Sequence, residues 1–129
     1  MVNLFNVLPP ERFRHTVVAL TDYSDFRRRI SAQPVAFHAL HREPGNGLGW
    51  MLRLWKLLRR LKPDLVHTRN LAALEAQFVA AAAGVSATVH DQHGRDVFDL
   101  YGRNWKYNLL RRAAKPLVSN YIAVSRDLE

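Results

Sequence analysis

The sequence contains no cysteine, and this absence excludes several kinds of chemistry. Without thiols the chain forms no disulfide, has no cysteine nucleophile and offers no thiolate ligand to a metal. Long apolar runs are also missing. The longest mostly apolar stretch without a charged residue, Ala76 to Val89, is shorter than the roughly 20 residues that a transmembrane helix requires. The first residues lack the basic region and apolar segment of a signal peptide, so secretion is not predicted.

Acidic residues are few compared with basic ones. The 129 residues include 11 Asp and Glu against 19 Lys and Arg, which gives a net charge of +8 and a pI near 10.6. With 48% hydrophobic and 23% charged residues, the composition is that of a packed globular domain. Most of the positive charge falls in the segments 27–29, 53–62 and 103–115. This excess favours an anionic partner, either a membrane surface or a polyanion such as nucleic acid.

Short apolar runs alternate with segments of helical periodicity, a pattern typical of α/β folds. The predicted strands are His15–Thr21, Val35–Leu40, Asp64–Thr68, Ser86–His90 and Asn120–Val124. Most of them are apolar without strict alternation, which indicates parallel strands that are covered on both faces. The predicted helices are Ser24–Ile30, Leu48–Lys62, a helix capped by Asn70 and Gly84, and Asn104–Lys115.

Both ends of the sequence have the pattern of an interrupted helix. Met1–Leu8 has a helical apolar face and stops at Pro9, with no strand before it. Ser125 is placed to cap a helix of which only the residues to Glu129 are present. We therefore expect residues 1–129 to form one incomplete domain.

The segment Leu48–Lys62 is predicted to be a basic amphipathic helix. Its apolar stripe consists of Met51, Leu54, Leu58 and Leu61. On the opposite arc lie Arg53, Lys56 and Arg60, and Trp50 and Trp55 add aromatic side chains. We expect Trp50 and these three cations to face an anionic membrane surface. The alternative is the solvated face of a core helix.

Polar residues cluster where three of the predicted strands end, which is where open parallel sheets bind their ligands. The segments are His67–Asn70, His90–Asp96 and Ser125–Asp127. A metal site is disfavoured, because two histidines on a loop lack the helical i, i+4 spacing of specific ligand pairs. Two readings stay open: a loop that caps the next helix, or a pocket in which His93 or Arg95 donates hydrogen bonds to a hydroxylated or phosphorylated ligand.

Stretches that include these strand ends resemble a known family. They are DLVHTRNLAALEAQ (64–77), HDQHGRDVFDL (90–100) and YIAVSRDLE (121–129), preceded by VNLFNVLPPERFRHTVVALTD (2–22). Over essentially its whole length the chain resembles the amino-terminal domain of family-4 glycosyltransferases. It is most similar to the bacterial sugar transferases associated with exosortase and PEP-CTERM systems.

The resemblance implies a Rossmann-like, three-layer α/β fold with a parallel sheet, the amino-terminal half of a GT-B enzyme without its first strand. Such enzymes act in polysaccharide biosynthesis and transfer a sugar, with retention, from a nucleotide-sugar donor to a lipid-linked or saccharide acceptor. The resemblance implies no metal and no other cofactor. The second domain, which holds the donor nucleotide, is missing, so we expect this chain alone to be inactive.

Site residues also follow from the resemblance. His93, in HGRD, best matches the histidine that lies near the donor sugar and is the expected catalytic residue. By position, Arg69, Asn70, Arg95 and Asp96 would bind substrate. The implied location is the cytoplasm, at the inner face of the cytoplasmic membrane. The alternative function is a stand-alone basic α/β module that binds nucleic acid or another polyanion, although no helix-turn-helix, zinc-finger or RNP pattern supports nucleic acid.

Overall fold

The computed structural model describes residues 2–23, 25–30, 35–45, 47–92 and 103–123. The chain divides into two compact units, Met1–Trp50 and Met51–Glu129. Within the described ranges the structure is α/β and every strand pair is parallel, as predicted. The strands lie in two sheets, one of two strands and one of three.

The first unit contains one short helix, one 3₁₀ turn and the two-stranded sheet. Its elements are α1 (Val2–Val7), β1 (Thr16–Ala19), a 3₁₀ turn (Asp25–Arg29) and β2 (Ala36–Ala39). Thr16 pairs with Ala36 at the start of the parallel ladder. The sequence predicts a helix at Ser24–Ile30, but the structure has a 3₁₀ turn at Asp25–Arg29 instead. Phe5 of α1 is buried, and its ring centroid lies 4.9 Å from that of His15.

The second unit contains the three-stranded sheet and the helices that connect its strands. Its elements are α2 (Gly49–Leu61, which begins at the end of the first unit), β3 (Leu65–Arg69), a 3₁₀ turn (Leu71–Ala73), α3 (Ala76–Ala83), β4 (Ala87–Gln92), α4 (Trp105–Ala114), a 3₁₀ turn (Lys115–Leu117) and β5 (Asn120–Ala123). The strand order is β3-β4-β5. The predicted bounds of α2 and α4 are confirmed to within about one residue, and Asn104 caps α4 through a hydrogen bond that its Oδ1 accepts from the Lys106 N–H.

One predicted helix is interrupted at its start. The sequence predicts a single helix after Asn70, but a 3₁₀ turn comes first and α3 begins only at Ala76. The Asn70 side chain forms no capping hydrogen bond, because its backbone has φ of +60° and continues the strand end instead. The other cap is confirmed: Gly84 adopts φ of +81° and its N–H donates to the carbonyls of Ala80 and Ala81.

The helix α3 contacts α2 and, with the turn before it, α4; the three helices are called here the helical layer. Crossovers between parallel strands are almost always right-handed, and in the strand order β3-β4-β5 this handedness puts α3 and α4 on the same face of the sheet. The Trp55 indole N–H of α2 donates to the carbonyl of Ala82 in α3 at 3.4 Å. On the other side, α3 and its preceding turn pack against α4 through Leu71, Leu74, Phe78, Tyr107, Leu110 and Ala114.

The apolar stripe of α2 is buried largely as predicted, but one tryptophan is not where the sequence placed it. Leu54 and Leu58 are buried. Trp50 is only 3% exposed, so the expectation that it faces a membrane is wrong. The Arg42 guanidinium lies 4.7 Å from the centroid of its ring and helps to cover it. No helix within the described ranges combines the length and the apolar character that crossing a bilayer requires.

Candidate functional site

Polar residues occupy both faces of the sheet where β3 and β4 end side by side. Thr68 pairs with His90 and Arg69 with Asp91 in the parallel register. Because side chains alternate across a strand, Thr68 and His90 point to one face while Arg69 and Asp91 point to the other. The sequence predicted that these polar residues follow the strands, but β3 runs to Arg69 and β4 to Gln92. These polar residues are therefore held by the backbone pairing of β3 with β4 rather than by a loop.

The first cluster lies under the helical layer. Oγ1 of Thr68 is 2.8 Å from Nδ1 of His90, and Nε2 of Gln77, from α3, donates to the same hydroxyl at 2.6 Å. Gln77 is fully buried, and its Nε2 also donates to the carbonyl of Val89 at 3.1 Å. These hydrogen bonds connect α3 to β3 and β4 close to the carboxyl ends of both strands.

The environment of His90 favours its neutral form. Burial lowers the pKa of His90, and the nearby His67 and Arg111 charges act in the same direction. The hydrogen bond with Gln92 and the charge of Asp91 oppose this shift but do not cancel it. The ring of Tyr121 lies edge-on to that of His90 with centroids 5.8 Å apart, and burial raises the Tyr121 pKa. His90 is thus a buried hydrogen-bonding residue rather than a cationic one.

The second cluster lies on the opposite face and contains opposite charges. Oδ2 of Asp91 is 3.1 Å from Nε2 of His67, a close contact without the alignment of a hydrogen bond. Oδ1 of the same carboxylate is 3.8 Å from Nε of Arg69. The Asp91 side chain is 7% exposed, whereas that of Arg69 is 39% exposed. The buried carboxylate therefore lies beside a partly exposed cation.

A backbone contact joins the same two strand ends. The N–H of Asn70 donates to the carbonyl of Asp91 at 2.8 Å. Asn70 adopts φ of +60° and ψ of 166°, a strained backbone conformation outside the left-handed helical region. Arg69 and Asn70, both predicted to bind substrate, are consequently held against the end of β4.

The other predicted site residues, the catalytic one and two that would bind substrate, lie outside the described residues. These are His93, Arg95 and Asp96. His93 follows directly in the sequence after Gln92, the last residue of β4. The structure thus brings together Arg69, Asn70 and the end of the strand that leads to the predicted catalytic histidine.

Sequence reasoning assigned no role to three residues that organise the site. They are Thr68, Gln77 and Asp91. A signal for Gln77 was present, since it is a polar residue three positions from each of the buried Leu74 and Ala80. For Asp91 the signal is that it pairs with Arg69 and so lies on the same face of the sheet, which is visible only when the register is known.

Two further predictions concern a metal site and the cations of α2. Across these ranges, no three His, Asp or Glu side chains lie together in a way that could hold a metal ion. Arg53, Lys56 and Arg60 of α2 are exposed, on the side away from its buried leucines.

Comparison with known proteins gives one match. The sequence profile of the family described as Glycosyltransferase Family 4 matches residues 1–129. Searches of curated proteins and of solved structures found no match.

Proposed function

Because the chain belongs to glycosyltransferase family 4, we propose that it is the amino-terminal, acceptor-side domain of a retaining enzyme. That enzyme transfers a sugar from a nucleotide-sugar donor to a lipid-linked acceptor. The observation that carries the proposal is the joined end of β3 and β4, where Arg69 and Asn70 are held against Asp91. Ligands of open parallel sheets bind at the carboxyl ends of strands, which is where this cluster lies.

In this proposal the chain supplies contacts to the sugar and the acceptor, and a second domain supplies the contacts to the nucleotide. His93 acts at the donor sugar, while Arg69, Asn70, Arg95 and Asp96 bind hydroxyl or phosphate groups. Arginine suits this role because its planar donors recognise phosphate in a bidentate manner. Stabilisation of the leaving diphosphate comes from the second domain.

We further propose that the enzyme works at the inner face of the cytoplasmic membrane and that α2 contacts the lipid. Arg53, Lys56 and Arg60 are exposed on this helix. Each cation close to an anionic bilayer contributes about 1 kcal/mol of attraction. Such a contact would bring the strand ends to a lipid-linked acceptor.

The test of the catalytic proposal is His93→Ala in the polypeptide that the in-frame codons on both sides of this chain encode. Sugar transfer should fall by at least about a hundredfold, the usual effect of removing a group that acts at the reacting centre. The matched control is His41→Ala, at an exposed residue of the first unit, which should leave transfer unchanged. Full activity of His93→Ala would show that another residue acts at the donor sugar. Stop codons directly flanking the chain would favour the stand-alone binding module.

A further inference from the structure

The helix α4 carries an exposed surface that the proposed function does not use. Trp105 and Leu109 are 67% and 59% exposed, and with Arg112 they follow the spacing i, i+4, i+7 that places residues on one helix face. The ammonium of Lys106 lies 5.9 Å from the centroid of the Trp105 ring. This face, called here the α4 patch, therefore combines two large apolar side chains with two cations.

The α4 patch is turned away from the protein core. The opposite face of α4, with Tyr107, Leu110 and Ala114, packs against the turn before α3 and against α3 itself. The patch therefore faces away from α3 and from the turn before it. On α2, the other flank of the layer, Leu52 and Trp55 are 54% and 38% exposed beside Lys56.

We propose that the α4 patch is a second membrane-binding element, so that the helical layer binds an anionic lipid surface through α4 as well as α2. This inference rests on the proposed membrane contact of α2 and extends it. Interfacial helices place Trp and Leu at the level of the headgroups and acyl chains while Lys and Arg attract anionic lipid. Both flanks of the layer have this composition, and the chain carries a net charge of +8.

The composition of the patch favours lipid over nucleic acid. A nucleic-acid surface gains affinity from cations on phosphates and from aromatic rings stacked on bases. An exposed leucine one turn from the tryptophan adds nothing to such a contact, but it gains apolar burial in a bilayer.

The experiment is flotation of the chain with vesicles of phosphatidylcholine, with and without phosphatidylglycerol, for the parent and three variants. Trp105→Ser with Leu109→Ser tests α4, and Arg53→Glu with Lys56→Glu and Arg60→Glu tests α2. The matched control is Val7→Ser with Leu65→Ser, two exposed apolar residues outside the helical layer. Circular dichroism checks that every variant is folded.

Removal of the two apolar anchors of α4 should weaken binding to anionic vesicles at least about tenfold, because these side chains can no longer be buried in the bilayer. The α2 variant should bind at least about a hundredfold less tightly, because three attracted cations are replaced by three repelled carboxylates. The control should bind like the parent. Quenching of tryptophan fluorescence by brominated lipid should decrease in Trp105→Phe.

Other outcomes would separate the two proposals. If the α4 variant binds like the control while the α2 variant loses binding, the role of α4 is overturned and that of α2 stands. If neither variant differs from the control, both membrane contacts are overturned. If the parent floats no better with phosphatidylglycerol but binds a single-stranded oligonucleotide through the same α4 residues, the patch is a nucleic-acid surface and the proposal is wrong.

Discussion

Oγ1 of Thr68 lies 2.8 Å from Nδ1 of His90, although 22 residues separate the two in the sequence. The hydroxyl already accepts a hydrogen bond from Gln77, and its other possible acceptor, the carbonyl of Val89, is 3.5 Å away. A contact of that length is weak, so the hydroxyl proton is donated to His90. His90 then carries its own proton on Nε2 and is neutral, in agreement with its lowered pKa.

The first prediction concerns this hydroxyl. Thr68→Val keeps the shape of the side chain but leaves Nδ1 of His90 without a donor and Nε2 of Gln77 without one of its acceptors. We expect the free energy of unfolding to fall by about 1–3 kcal/mol, the cost of unpaired polar groups in a buried site. Urea unfolding at pH 7.5 measures it.

The control for this prediction is Ser86→Ala, which removes an exposed hydroxyl that donates to the carbonyl of Asp64 at 3.3 Å. Its effect should stay within about 0.5 kcal/mol, as for most surface substitutions. Equal effects of the two variants would mean that the buried network does not stabilise the unit.

The second prediction is a pH dependence from His90. Its pKa in the folded protein lies below the ordinary value of 6.5, so the unfolded chain takes up a proton first as the pH falls. Stability from this group is fully present above pH 6.5 and is lost between pH 6.5 and the lowered folded pKa. The loss proceeds at no more than about 1.4 kcal/mol per pH unit.

His90→Gln should flatten this dependence, because the replacement does not titrate. The measurement is urea unfolding at a series of pH values from 8 to 5, with His41→Gln as the control at an exposed histidine. If the parent and His90→Gln lose stability in parallel over this range, another group is responsible for the acid sensitivity.

The positions of the strands and the end of α3 could be predicted from the sequence. Apolar runs located every strand in the part of the chain that the structure describes. Gly84 correctly marked the end of α3, since only a residue tolerant of positive φ closes a helix in this way. The burial of Trp50 could not be predicted, because periodicity does not show that Arg42, from an adjacent loop, covers the ring.

The site was predicted less completely than the fold. Arg69 and Asn70 were correctly placed at the end of β3, but their attachment to Asp91 depends on the pairing of β3 with β4. A shift of the pairing by one residue would move Asp91 to the other face, and no local pattern in the sequence fixes that register. The hydrophobic pattern of the sequence thus does not show which residues of β3 and β4 pair.

The third prediction concerns the carboxylate of Asp91. Asp91→Asn retains the size of the side chain but removes the charge that faces His67 and Arg69. We expect a loss of about 1–3 kcal/mol in the free energy of unfolding, because hydrogen bonds and contacts to charged groups in a buried site exceed those at the surface. The partial exposure of Arg69 keeps the loss at the lower end, since water can solvate its guanidinium.

A local measurement distinguishes the role of Asp91 at the strand ends from a general loss of stability. The Asn70 N–H donates to the Asp91 carbonyl, so in Asp91→Asn the hydrogen exchange of this amide should accelerate more than that of amides in the middle of β4. The matched control is Asp25→Asn. Asp25 forms an ion pair with Arg28, and both side chains of this pair are exposed. That exposed pair should contribute within about 0.5 kcal/mol, and its loss should leave Asn70 exchange unchanged. Unchanged Asn70 exchange in Asp91→Asn would mean that the backbone register alone holds Arg69 and Asn70 in place.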